Sequence, residues 1–119
     1  MILAAMADKD VAGVCAALAT VPLLRVARVL CTSVGDARSL PVDALLSIVR
    51  AAGLGTHAEV CPEPATAMQR AADSSGPVIV AGSLYLVGAV REALLRAGAV
   101  PDDGSLDPQV DRGMSGSAQ

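Results

Sequence analysis

The sequence predicts an α/β fold in which a mostly parallel sheet is flanked by helices. Short runs rich in Val, Ile, Leu and Ala alternate with segments whose apolar residues recur at helical spacing. The strand-like runs are apolar throughout, as in strands that are buried on both faces. Each run ends in a turn that leads into a helical pattern. The predicted order is therefore β-α-β-α-β-α-β-α, with right-handed crossovers.

The first β-α unit is predicted from a buried strand at residues 2–5 and a helix that begins after the turn at residues 7–8. The helix is indicated by apolar residues at helical spacing, namely Val11, Val14, Cys15 and Leu18. Asp8 is expected to cap its N-terminus, and Asp10 to lie in its first turn, where the helix dipole favours a negative charge. Capping accounts for both carboxylates without any ligand.

The second unit is predicted as a strand at residues 26–31, a polar loop at residues 32–39 and a helix at residues 41–52. Pro41 suits the first helical position, and Gly53 suits the end of the helix. One face of this helix is apolar and consists of Val42, Leu45, Leu46 and Val49.

The last two units are predicted as strands at residues 57–60 and 78–81, followed by helices at residues 63–72 and 84–97. Gly98 is expected to terminate the final helix. The core-facing stripe of that helix is predicted to comprise Val87, Val90, Leu94 and Ala97.

Composition supports one folded domain at residues 1–98 and a disordered tail at residues 99–119. The 119 residues are 53% hydrophobic and 18% charged, enough apolar surface for a substantial core. From Pro101 onward Asp, Gly, Ser, Pro and Gln predominate. A net charge of −3, with Tyr85 as the one aromatic residue, disfavours nucleic-acid binding through a basic surface or base stacking.

The cysteines and the histidine do not suggest a metal site. Cys15, Cys31 and Cys61 lie far apart in apolar stretches, as expected for buried free thiols in a reducing cytoplasm. No two of them have the short spacing of structural zinc ligands. His57 is expected to be a strand-end residue, not a catalyst. The N-terminus lacks the positive charge of a signal peptide, and no apolar run is long enough to span a membrane.

The strongest candidate for chemistry is the turn at Gly82-Ser83, where a strand passes directly into a helix. Glycine permits close backbone approach, and the serine hydroxyl lies at the positive end of the helix dipole, which suits a carboxylate or phosphate. The alternative is that Ser83 only caps the helix. A serine hydrolase is disfavoured because the chain has no Gly-x-Ser-x-Gly motif.

Three segments carry a resemblance to a known family. The residues Gly82-Ser-Leu-Tyr-Leu-Val-Gly88, with Arg91 one turn later, are similar to the last strand-to-helix turn of folylpolyglutamate synthase/dihydrofolate synthase, in the Mur ligase superfamily. Asp8-Lys9-Asp10 resembles an acidic loop after an early strand of that family's C-terminal domain. Residues 35–41 resemble its loop ending in Pro-Arg, a small residue, Leu and Pro, with Ala37 replacing the first proline.

The resemblance implies a Rossmann-like Mur ligase C-terminal domain and a set of site residues. Gly82 and Ser83 would line the substrate cleft, and Arg38 would hold a substrate carboxylate. The segment Asp8-Lys9-Asp10 would lie near the nucleotide. The alternatives are a solvated Arg38, and capping with a local salt bridge for the acidic segment. Tyr85 is expected to pack against the cleft wall, and Arg91 to pair with a carboxylate on its helix.

The family's reaction, as implied by the resemblance, adds L-glutamate to folate or dihydropteroate through an acyl phosphate and uses ATP and Mg²⁺. The sequence contains neither a phosphate-binding loop ending in Lys-Ser or Lys-Thr nor an Asp-Gly-Ala-His-Asn motif. The domain is therefore expected to be incomplete at its N-terminus, to be inactive alone and to depend on an N-terminal ATP-binding domain. The alternatives are a stand-alone non-catalytic module that binds a small anion or a partner protein, and a marginally folded relic.

Overall fold

The structure, a computed structural model, describes residues 1–101 and contains one parallel sheet. The strands lie in the order β3-β2-β1-β4, and every neighbouring pair is parallel. Their bounds are β1 Ile2–Leu3, β2 Arg28–Cys31, β3 His57–Val60 and β4 Val80–Ala81. The predicted α/β class, with helices flanking a parallel sheet, is confirmed.

Helices cover both faces of the sheet because successive strand residues point to opposite sides. The helices are α1 Val11–Leu18, α2 Pro22–Arg25, α3 Val42–Ala52, α4 Pro64–Ala72 and α5 Leu84–Arg96. On one face α1 and α3 pack against the strands, with Leu3, Cys15, Val29, Cys31, Leu45 and Val49 in the core. On the other face α4 and α5 enclose Ile2, Ala4, Leu30, Ala67, Leu86 and Val90.

The termini of the elements differ from the prediction in several places. Strands β1, β2 and β4 are shorter than predicted, and α2, with Pro22 in its first turn, was not predicted. Asp10, not Asp8, caps α1, since its carboxylate accepts a hydrogen bond from the Gly13 amide at 3.0 Å. Pro41 is the N-cap of α3, one position before the helix. Gly53 ends α3 with φ +71°, as predicted.

The buried face of α5 is also different from the predicted stripe. Leu86 and Val90 are buried, whereas Val87 and Leu94 remain 40% and 44% exposed. Nearly every side of this helix carries an apolar residue, so spacing alone does not select the face that meets the sheet.

All three cysteines are buried free thiols. Burial, together with the nearby Cys15 thiol, raises the pKa of Cys31 to about 11. Within residues 1–101, no three His, Cys, Asp or Glu side chains are grouped closely enough to hold a metal ion. No helix in the same range has the length and apolar character needed to cross a membrane.

The C-terminal end of the chain is described as far as Pro101. After α5, the Ala99 amide donates to the Leu94 carbonyl at 2.9 Å, and Val100 is exposed. The predicted disordered tail lies, from residue 102 onward, outside the described residues.

Candidate functional site

The predicted site residues lie in the segments that follow β1, β2 and β4, on the side of the carboxyl edge of the sheet. The segments that leave β1, β2 and β4 are neighbours there because β1 lies between the other two strands. The chain runs from β1 outward to β2 and β3, then returns to place β4 on the other side of β1. Such a reversal of strand order opens a crevice at the carboxyl ends, where α/β proteins commonly bind ligands.

Gly82 is required by the packing of β4 against β1. Its φ is +96°, and a Cβ atom at this position would lie 2.0 Å from the carbonyl oxygen of Ala4. The close backbone approach predicted for this turn therefore exists, and the neighbour is the strand β1. A side chain at Gly82 would separate the two strands at the point where their carboxyl ends form the crevice.

Ser83 is the N-cap of α5. Its Oγ accepts a hydrogen bond from the Leu86 amide at 3.4 Å, and the residue is only 9% exposed. The capping alternative considered for Ser83 thus describes its contacts in this structure. The hydroxyl nevertheless lies at the carboxyl edge, next to the glycine that shapes the crevice.

Arg38 lies in the loop after β2, and backbone hydrogen bonds fix this loop against the segment after β1. The Ala7 amide donates to the Arg38 carbonyl at 2.7 Å, and the Leu40 amide donates to the Ala5 carbonyl at 2.8 Å. An antiparallel bridge joins Met6 and Ser39 between these bonds. The backbone on both sides of Arg38 is therefore anchored, although the side chain is 62% exposed.

Asp36 and Tyr85 hold the guanidinium of Arg38. Its Nη2 donates to the Tyr85 hydroxyl at 3.3 Å, and its Nε lies 3.5 Å from Asp36 Oδ1. The hydrogen bond to Tyr85, followed by the charge of Asp36, raises the pKa of Arg38. The Arg38 backbone amide, 2.7 Å from the Asp36 carboxylate, lowers the pKa of Asp36. Arg38 thus makes two side-chain contacts while most of its side chain remains exposed to solvent.

A cleft of about 370 Å³ is lined in part by Asp36 and Tyr85, the two residues that contact Arg38, whereas Arg38 itself does not line it. Its walls come from the loop after β2, the start of α4 and the first turns of α5, with Val34, Gly35, Asp36, Pro64, Tyr85 and Ala89 as the lining residues. Tyr85 thus forms part of the wall of this cleft, whereas the predicted cleft was the one beside Gly82 and Ser83. Gly82 and Lys9 instead border a separate cavity of about 30 Å³ near α1.

The segment Asp8-Lys9-Asp10 is divided among different roles. Asp10 caps α1, and Lys9 borders the small cavity beside Gly82. Asp8 is exposed at the turn. In the described part of the chain none of the three forms an ion pair, so the local salt bridge considered as an alternative is not observed.

Two further expectations concerned residues away from the cleft. Arg91 was predicted to pair with a carboxylate on α5, but the ion pair of that helix joins Glu92 and Arg96. His57 begins β3 and therefore lies at the opposite, amino edge of the sheet.

The contact between Arg38 and Tyr85 was not predicted from the sequence. The two residues are 47 positions apart, and only the strand order brings their segments together. The hydrogen bond from the Arg38 amide to the Asp36 carboxylate could have been predicted from the sequence. In turns, an aspartate side chain often accepts a hydrogen bond from the backbone amide two residues later.

Comparison with known proteins gives a match at the level of structure. Neither a protein-family model nor a curated protein matches the sequence. The structure matches two solved structures of Mycobacterium tuberculosis folylpolyglutamate synthase. One is a complex with ADP and AMPPCP (26% identity, TM-score 0.66), and the other is a complex with ADP (28% identity, TM-score 0.64). The chain resembles one domain of folylpolyglutamate synthase. The resemblance predicted from the three sequence motifs is thereby confirmed.

The structural match extends over most of this chain but over a much smaller share of the synthase chain. The match to folylpolyglutamate synthase covers 85% of this chain but only 24% of the synthase chain. The chain thus spans about a quarter of the length of the synthase that it matches. The ADP and AMPPCP belong to complexes of the mycobacterial enzyme.

Proposed function

We propose that the chain is the C-terminal domain of an ATP-dependent ligase that adds L-glutamate to folate or dihydropteroate through an acyl phosphate. The observation that carries the proposal is the structural match to folylpolyglutamate synthase, at 26–28% identity over 85% of the chain. The site geometry agrees, because Arg38, whose backbone is anchored, contacts two residues that line a cleft at the carboxyl edge. An arginine fork is well suited to binding a carboxylate.

Each site residue has a defined task in this proposal. Arg38 binds a substrate carboxylate through its guanidinium. Gly82 keeps β4 close to β1, and Ser83 orders the first turn of α5 beside the crevice. Asp8, Lys9 and Asp10 lie on the β1 side of the same edge, where they would face the nucleotide-binding domain. We place the enzyme in the cytoplasm, where three free thiols are stable.

The described residues do not fit ATP or Mg²⁺ by themselves. They contain no Gly-rich phosphate loop and no group of three metal-ligating side chains. We therefore assign both to an N-terminal ATP-binding domain, in the same polypeptide or in a bound partner. When bound there, ATP supplies the phosphoryl group that activates the folate or dihydropteroate carboxylate. This chain contributes the groups that bind and orient the substrate.

The test is glutamate incorporation by the native polypeptide that carries this sequence. We expect ATP- and Mg²⁺-dependent addition of L-glutamate to folate or dihydropteroate, and loss of most kcat/KM in Arg38→Ala. A charge-assisted hydrogen bond contributes about 1.5–3 kcal/mol, so the expected loss is about ten- to a hundredfold. Arg25→Ala is the matched control, since Arg25 is exposed in α2, away from the carboxyl edge. Absence of activity in the wild-type polypeptide would contradict the proposal.

The second candidate is a stand-alone, non-catalytic module that binds a small anion or a partner protein. It is favoured by one observation, the Arg38 guanidinium beside a cleft in a sequence that contains no phosphate loop. Mass spectrometry of the native polypeptide separates the two candidates. Peptides from a phosphate-loop domain in the same chain or in a tight complex support the ligase, and their absence supports the stand-alone module.

A further inference from the structure

The guanidinium of Arg38 is held by two acceptors of different charge. Asp36 lies on the Nε side at 3.5 Å, a distance at the outer limit of a hydrogen bond. Tyr85 accepts from Nη2 at 3.3 Å. In the described part of the chain, Nη1 donates no hydrogen bond. One nitrogen of the fork is therefore available to an incoming acceptor.

The chemistry of the two acceptors explains why this arrangement suits a site for an anion. A close bidentate pair with Asp36 would neutralise the guanidinium and occupy the donors that a carboxylate requires. The tyrosine hydroxyl is neutral, so it fixes the direction of the side chain without cancelling its charge. An arginine side chain has about 2 kcal/mol of rotamer entropy, and prior ordering reduces the part that is lost when a ligand binds.

The position of Tyr85 supports the same conclusion. The residue forms part of the cleft wall, and its hydroxyl meets Arg38 at the rim. It is 58% exposed, so burial of the ring does not by itself explain its orientation. Ser83 fixes the first turn of α5, and the loop carrying Arg38 is anchored on the segment after β1. The contact therefore joins two backbone segments that are each held in place.

We infer that Tyr85 is a positioning residue, which orients the Arg38 guanidinium toward a carboxylate ligand at the rim of the cleft. This inference rests on the proposed function insofar as the ligand is taken to be the carboxylate of the ligase substrate, folate, dihydropteroate or glutamate. Tyr85 does not contact the reacting atoms in this proposal and acts through Arg38.

The first test observes Arg38 directly in the chain of 119 residues. The side-chain Nε–Hε resonance of Arg38 is followed by NMR in wild type and in Tyr85→Phe, which keeps the ring and removes the hydroxyl. We expect faster exchange with water and a lower order parameter in the variant. Leu84→Ala is the control, since Leu84 precedes Tyr85 and is 89% exposed. An unchanged Arg38 resonance in Tyr85→Phe would overturn the inference.

The second test separates binding from chemistry in the native polypeptide. For Tyr85→Phe we expect KM for one carboxylate substrate to rise about three- to tenfold with kcat unchanged, the effect of one neutral hydrogen bond. In the double variant with Arg38→Ala, the removal of the hydroxyl should have no additional effect. A fall in kcat at constant KM, or an additive effect in the double variant, would contradict positioning through Arg38.

The two proposals fail in different ways. If the wild-type polypeptide has no ligase activity but succinate shifts the Arg38 resonance, and Tyr85→Phe weakens that binding, the positioning role stands and the ligase proposal falls. If the enzyme is active and Tyr85→Phe changes neither the Arg38 resonance nor any KM, the positioning role falls and the ligase proposal stands.

Discussion

At the residue scale, Gly82 shows how one position can serve the sheet and the site together. The residue adopts a positive φ, and it must also lack a side chain, because β1 passes directly beside it. Gly35 needs only the first of these, since its φ is +78° and a methyl group there would meet no atom within 4 Å. The pair therefore separates the effect of backbone conformation from the effect of close packing.

We predict that Gly82→Ala lowers the free energy of unfolding by more than Gly35→Ala does. A positive φ in alanine costs about 1–2 kcal/mol, and only Gly82→Ala adds a collision with the Ala4 carbonyl. Urea denaturation followed by circular dichroism measures both changes. Equal losses in the two variants would show that β4 can move away from β1 without strain.

The contact of Arg38 with Tyr85 marks the limit of prediction at this scale. The sequence indicated Arg38 as a carboxylate ligand and Tyr85 as a cleft residue, from separate motifs. It did not indicate that one donates to the other, because their proximity depends on strand order and on the anchoring of a loop. Ser83 was easier, since a serine that precedes a helical pattern is a common cap.

At the scale of elements, α3 was predicted well and α5 only in part. Helix α3 has one clear apolar face and ends at a glycine, so its pattern and its end agree. Helix α5 has apolar residues on most sides, and its orientation is set by the capped start and by the position of β4. Periodicity therefore predicted the helix α5 but not the face that it buries.

We predict that Gly88→Ala stabilises the fold by about 0.5–1 kcal/mol. Gly88 lies inside α5, and a Cβ there would meet no atom within 4 Å. Alanine restricts the unfolded chain and has the higher helix propensity. The midpoint of urea denaturation should rise. Gly53→Ala at the left-handed end of α3 is the counterpart and should lower the midpoint; a fall in both would argue that Gly88 has an unseen packing role.

At the scale of the whole molecule, the number of strands and their parallel direction could be predicted, but their order could not. Alternating β and α segments imply parallel strands in any order that right-handed crossovers allow. The position of β4 beside β1, and hence the crevice, depends on which of the two faces of the sheet each helix covers. That choice is made by packing among Ile2, Leu30, Leu86 and their neighbours, which no local pattern reveals.

The stability of the whole fold is predicted to fall as the pH rises from about 9 to about 11, because burial raises the pKa of Cys31 to about 11. The raised pKa means that the folded chain keeps the thiol proton while the unfolded chain loses it. The contribution of the Cys31 thiol to the free energy of unfolding is complete below the pKa of the thiol in the unfolded chain. It is lost as the pH rises through the pKa of the thiol in the folded chain. Urea denaturation at several pH values measures the slope. Cys31→Ala should make the free energy of unfolding less dependent on pH. An unchanged slope in this variant would show that other groups cause the loss of stability.

The pairing of Ile2 with Val80 has a consequence for synthesis on the ribosome. Strand β1 precedes both of its neighbours along the chain, and one of them, β4, is the last strand of the described residues to leave the ribosome. Until then β1 can pair with β2 alone, and its other edge offers unpaired amides and carbonyls to any passing chain. The side of β1 that later pairs with β4 is therefore the last interior strand edge of this sheet to close, and it stays open to wrong pairing until β4 has been synthesised.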